Sequence, residues 1–239
     1  MRHAAQAPAV NTRHPLANAP RWLLALLLAA FLPVSAASAV PEPSPVPRAW
    51  EFEIRTSPLR IAELDVPGEG RQSYYFITYT VTNNTGEDRL FAPIFELAED
   101  PAGTLRRSGQ GVPLAATQRL MERLGNPLLE DQVSIIGTLR QGEENARDGL
   151  AMWPAEATDV KSVAIYVFGL SGESRQHTVR NPDTGEREDI TLRKTLMLRH
   201  RVPGELPRHT AQGLPRYEQR WILRQLVSTV DPVADNASD

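Results

Sequence analysis

The chain has 239 residues, among them 20 prolines, 15 glycines and no cysteine, with a formal net charge of −3. Without cysteine there is no disulfide framework and no thiolate metal site, so a folded domain must rest on a buried apolar core. The acidic balance argues against nucleic acid as a partner, since phosphate recognition draws on an excess of basic side chains.

Residues 1–39 carry the three-part pattern of a secretory signal peptide. Arg2, Arg13 and Arg21 stand without an acidic residue, the apolar run Trp22 to Leu32 follows, and Ala37-Ser38-Ala39 places small side chains at the two positions a signal peptidase reads. The run is shorter than the roughly 20 residues needed to span a hydrocarbon core. Cleavage after Ala39 is therefore expected, with a soluble product in the periplasm or extracellular space and no transmembrane helix in the mature chain. Removing this segment takes away three arginines and no acid, moving the net charge from −3 to −6.

Residues 40–48 alternate proline with other residues, a composition that favours extended backbone and reads as a spacer. The period then becomes two. Trp50, Phe52 and Ile54 alternate with Glu51, Glu53 and Arg55, as in a strand with one buried face. Pro58 to Leu64 predicts a short second strand. In Ser73 to Asn83, Tyr75, Ile77, Tyr79 and Val81 share one face and Thr78, Thr80 and Thr82 the other. Asn83-Asn84-Thr85-Gly86 predicts a tight turn, with Leu90 to Glu99 as the returning strand.

Pro113 to Leu124 breaks this pattern. Leu114, Thr117, Met121 and Leu124 fall at helical spacing beside Leu120, and Gly125 and Asn126-Pro127 supply the stop. One short helix is expected here, lying across an edge or end of a sheet. Strands are predicted again at Gln132 to Leu139 and at Val160 to Leu170, where Val163, Ile165 and Val167 share a face. A long hairpin runs from Gln176 to Asn181 and back along Ile190 to Arg201, turning at Pro182-Asp183-Thr184-Gly185. On its second arm Leu192, Leu196 and Leu198 alternate with Arg193, Thr195, Met197 and Arg199. Tyr217 to Arg224 is the last strand, with Tyr217, Gln219, Trp221 and Leu223 on one side; the acidic tail 227–239 is expected to be disordered. The pattern as a whole predicts a mainly β domain over 49–226, an antiparallel immunoglobulin-like β-sandwich with one short inserted helix.

The stretch Tyr74 to Gly86, an aromatic-rich strand running into an Asn-rich turn, resembles the strand-turn motif of exported bacterial immunoglobulin-like domains. Gly142-Glu143 followed by the aliphatic strand Val163 to Gly169 is similar to the edge of such domains. The resemblance spans roughly 49–225; it implies the sandwich fold and supplies no functional residue.

No catalytic, metal-binding or cofactor-binding residue is assigned. His200 and His209 could share a metal with Glu205, but their spacing matches no recognised ligand pattern. Ser171, in Gly169-Leu170-Ser171-Gly172, lacks the spacing of a nucleophile elbow and reads as a turn. Asp183, Glu186, Glu188 and Asp189 do not follow calcium-loop order and are interrupted by Arg187. Glu143, Glu144 and Asp148 stand among Arg140 and Arg147 as a solvated loop, and the Asn83 and Asn236 sequons read as accidental.

The leading expectation is a non-enzymatic envelope or extracellular module that presents a sheet face or loops to a protein. One alternative is a ligand site or active site assembled from Arg107, Arg140, His177, His200 and Trp153. Another is carbohydrate binding by exposed tryptophan. Trp50 and Trp221 head apolar faces and are expected inside, leaving Trp153 as the exposed candidate.

Overall fold

The computed structural model describes residues 41–101, 103, 105–157, 159–181, 184–204 and 212–226. The expected signal peptide (1–39), the acidic tail (227–239), Asp183, Glu205, His209 and Asn236 lie outside them. Among the described residues the fold is mainly β with one α-helix, and no helix is long and apolar enough to cross a membrane.

The first sheet is organised by β3 (Gly70–Thr82), the aromatic and threonine strand. Along one edge it pairs with β1 (Glu53–Thr56) and β2 (Arg60–Val66), and along the other with β9 (Arg147–Pro154). All three pairings are antiparallel; the two-residue β7 (Leu129–Glu130) adds a parallel contact to β9. The sequence pattern misses β9 because both of its faces are covered. Leu150, Ala151, Met152 and Trp153 are all buried, so there is no alternation to read. Gly149 on this strand faces the Tyr79 ring, where a Cβ would run into the aromatic carbons.

The second sheet has β12 (Arg187–Arg201) at its centre. β13 (Arg216–Gln225) lines one edge of it; β11 (Ser174–Arg180) and β10 (Ser162–Phe168) follow one another along the opposite edge. β5 (Ile94–Asp100) pairs with β10, and β6 (Leu105–Arg107) with β5. The predicted returning strand from Leu90 to Glu99 is therefore divided. β4 (Arg89–Phe91) pairs with β8 (Gly137–Leu139), while β5 crosses to the other sheet. Pro93 stands at the break and has no N–H to continue a ladder. Likewise, only Gly137–Leu139 of the segment 132–139 is strand, because Asp131 Oδ1 accepts the Val133 and Ser134 amides and winds the chain into turns.

Ile77, Tyr79 and Val81 from the first sheet and Val163, Ile165, Leu196 and Leu198 from the second belong to one core cluster, so the sheets pack inner face to inner face. A second cluster lies on the outer face of the first sheet. There α1 (Leu114–Leu124) sets Ala116 and Leu120 against Leu64, Tyr74, Phe76, Leu150 and Met152. The helix thus covers a sheet face, not the expected edge or end. Phe76 and Tyr74 are the reason: they point away from the main core and need an apolar cover. Gly125, at φ 66°, caps the helix and donates its N–H to the Met121 carbonyl.

Residues 41–48 are not all free of the body. The Ser44 amide donates to Glu173 Oε1 at 3.0 Å, and Arg175 donates to the Ser44 hydroxyl at 3.0 Å.

Candidate interaction surface

The side chains of β12 divide by parity. Leu192, Lys194, Leu196, Leu198 and His200 share the inner side, while Arg193, Thr195, Met197, Arg199 and Arg201 share the outer one. The register carries the outer side across the sheet. Tyr166 lies opposite Met197, Glu96 opposite Tyr166, and Arg107 opposite Glu96, while on the other flank Arg224 faces Arg193 and Arg220 faces Met197. Strand pairing alone therefore gathers Arg107, Arg180, Arg187, Arg193, Arg199, Arg201, Arg220 and Arg224 onto one sheet face. The carboxylates of that face are Glu96, Asp100, Asp189 and Glu218.

Glu96 is completely buried despite facing outward. Arg224 donates to its Oε2 at 3.0 Å and Arg107 lies 3.8 Å from its Oε1. To reach Glu96 from β13, Arg224 lies across β12 and β10, with its guanidinium carbon 3.9 Å from the Tyr166 ring centre and 5.8 Å from that of Phe168. The cation is thereby held over aromatic carbon. Glu218 is engaged as well, by Arg199 at 3.2 Å and Arg220 at 2.9 Å.

The period of two places Tyr217 on the side of Gln219, Trp221 and Leu223. A bulge opposite Arg199 and His200 turns it out instead, where it is 46% exposed and flanked by Arg199 and Arg201, 5.5 and 5.6 Å from its ring centre. Arg193, Arg201 and Arg220 are exposed on the same sheet face, around the less accessible Tyr166, Phe168, Met197 and Ile222. The result is a basic rim around an aromatic and aliphatic middle, rich in the residue types that dominate protein interfaces.

The five residues of the assembled-site alternative do not converge. His200 points into the core, its Nδ1 donating to the Leu214 carbonyl at 3.2 Å. Burial pushes its pKa down, and the neighbouring Arg216 adds to the shift against that hydrogen bond. His177 lies on β11 opposite Ile190, Arg140 is exposed, and Arg107 serves Glu96. Trp153 is fully buried, with Nε1 donating to the Arg106 carbonyl at 3.1 Å, which removes the exposed-tryptophan candidate. Trp50 and Trp221, expected inside, are half-buried beneath the cations of Arg89 and Lys194.

Lys194 is itself buried, 2.8 Å from Glu51 and 3.6 Å from Glu173. Burial alone would raise the Glu173 carboxyl, but hydrogen bonds from Ser44 and the charges of Lys194 and Arg175 hold it below the ordinary value. Ser171 forms a bridge to Glu51 and accepts the Glu173 amide, as a strand-ending turn does. Arg147 pairs through Nε and Nη2 with the two carboxylate oxygens of Glu130, not with its loop neighbours. Asn83 is buried and donates to the Leu139 and Glu87 carbonyls, so this sequon is a structural amide. Among the described residues no group of three His, Cys, Asp or Glu side chains could hold a metal ion.

Compared with known proteins, the chain matches no family model, no curated protein and no solved structure.

Proposed function

We propose that this chain is an exported, immunoglobulin-like β-sandwich acting as a non-enzymatic interaction module, and that the outer side of its second sheet takes up an acidic protein surface. Support for export comes from the pattern of residues 1–39, and support for the sandwich from two sheets that share one core. The single observation that carries the reading is the segregation of charge: in a chain of net charge −3, eight arginines against four carboxylates share one sheet face with an exposed tyrosine. Such a patch steers an acidic partner and fixes its register, while the aromatic middle supplies the desolvated contact. A nucleic acid fits less well, because its extended phosphate field would also meet the acidic remainder of the chain.

The test is capture from the native envelope fraction by tagged Val40–Asp239, beside a tag-only control and the triple variant Arg193→Glu, Arg201→Glu, Arg220→Glu. Expected is one protein with an acidic surface, retained less as salt rises and lost by the triple variant. Retention that ignores both salt and the triple variant would move the interface elsewhere.

A further inference from the structure

The outer face of the first sheet carries a groove of its own. On the outer face of the first sheet the side chains of β3 change from aromatic to threonine, Tyr74 and Phe76 giving way to Thr78 and Thr80. The helix cover stops at the same place, at Leu124 and the Gly125 cap. What remains is a groove of about 400 Å³, within the roughly 300–1,000 Å³ of small-molecule sites.

Strand register sets its chemistry. Arg55 lies opposite Thr80 and Thr80 opposite Asp148, so a guanidinium, a hydroxyl and a carboxylate form one row across three strands. Asp148 is held in place: Thr80 donates to Oδ1 at 2.6 Å and Asn126 Nδ2 to Oδ2 at 2.9 Å. Asn126 is fixed in turn, its Oδ1 accepting the Leu128 amide at 3.0 Å. Each Asp148 oxygen retains acceptor capacity, the second Asn126 amide hydrogen, the Thr78 hydroxyl and Arg55 add donors, and the Thr80 oxygen can still accept. Leu124 contributes an aliphatic wall. Arg55 is paired with Glu53 at 2.9 Å and the Asp148 carboxylate is already met by two donors, so among the described residues the groove offers no free cation to an anionic ligand and directed hydrogen bonds to a neutral one.

We infer that this groove binds a neutral, hydroxyl-rich ligand of the saccharide class, hydroxyls meeting Thr78 and the Thr80–Asp148–Asn126 row and ring C–H groups meeting Leu124. The reading stands apart from the proposed protein interface, which lies on the other sheet.

The experiment is an amide-resolved NMR titration of the protein with maltose, cellobiose and chitobiose, each to about 10 mM, enough to populate a millimolar site. At least one probe should shift amides at Thr78, Thr80, Asn126 and Asp148. Thr78→Val adds apolar surface to the groove floor without touching the Asp148 network. It should keep the melting temperature while weakening that probe about three- to tenfold, the loss of one hydrogen bond. Arg220→Glu, on the other sheet, should bind as the parent does. The absence of shifts with all three probes, shifts centred on Trp50 or Trp221, or unchanged affinity in Thr78→Val would each overturn the inference.

Discussion

Leu120 and Arg220 sit over the outer faces of the two sheets and show how differently those faces are finished. The first sheet points Tyr74, Phe76, Leu150 and Met152 outward and hides them beneath α1, so its outer face is a second core layer. The second points arginine, tyrosine and methionine outward, and among the described residues no helix lies over it. Apolar carbon needs a cover for stability; a guanidinium stacked on an aromatic ring can face water and still contact a partner. A face closed by its own chain is structural, whereas one finished in stacked arginine is available.

The contrast can be broken most sharply at Leu120, which is 1% exposed. Leu120→Ala should cost about 2–5 kcal/mol in chemical denaturation; a much smaller loss would mean that the helix is an ornament on its sheet. Arg224→Met comes next. It leaves buried Glu96 with Arg107 alone and should cost about 1–3 kcal/mol, below the full penalty for a stranded charge because one partner stays. A loss confined to partner capture, with denaturation unchanged, would make Arg224 a contact residue only.

His200 gives a smaller effect that depends on pH. Its pKa is depressed below 6.5 in the fold, so between those values the unfolded chain binds more protons. Stability from this residue is therefore full above pH 6.5 and declines as pH falls toward the depressed value. His200→Asn, compared with the parent by denaturation at pH 7.5 and 5.5, should flatten that part of the slope; identical slopes would show that the imidazole is free to ionise in place. The smallest effect is expected at Arg220, whose side chain is 61% exposed. Arg220→Ala should stay within about 0.5 kcal/mol of the parent, and a larger change would mean that the open face also bears on stability.

Local alternation made the inner faces of β3, β10 and β12 legible in the sequence, and the Gly125 stop made the helix legible. β9 was not, since a strand buried on both sides reads as an undivided apolar run. Nor was the crossing of β5, which depends on a partner, β10, some seventy residues away in sequence, roughly. The arginine face was half visible: Arg193 and Arg199 stand out on β12, but only the register adds Arg107 and Arg224, and only the bulge brings Tyr217 outward. Glu96 looked like any solvated outward carboxylate. Its burial comes from an arginine 128 residues later, a relation no local window contains.

That separation has a consequence for the order in which the molecule can be completed. β5 and β13 are not neighbours; β10 and β12 lie between them, yet Arg224 bridges all four strands to reach Glu96. A strand displaced by one residue turns its side chains to the opposite face. A misregistered β13 would therefore send Arg224 inward and leave Glu96 with Arg107 alone. In a chain that emerges N-terminus first, β5, β10 and β12 are all available before residue 224 arrives. Among the described residues the strand made last is thus the one that proofreads the first strand of its sheet, and a chain ending before Arg216 would lack the inspector, not merely an edge.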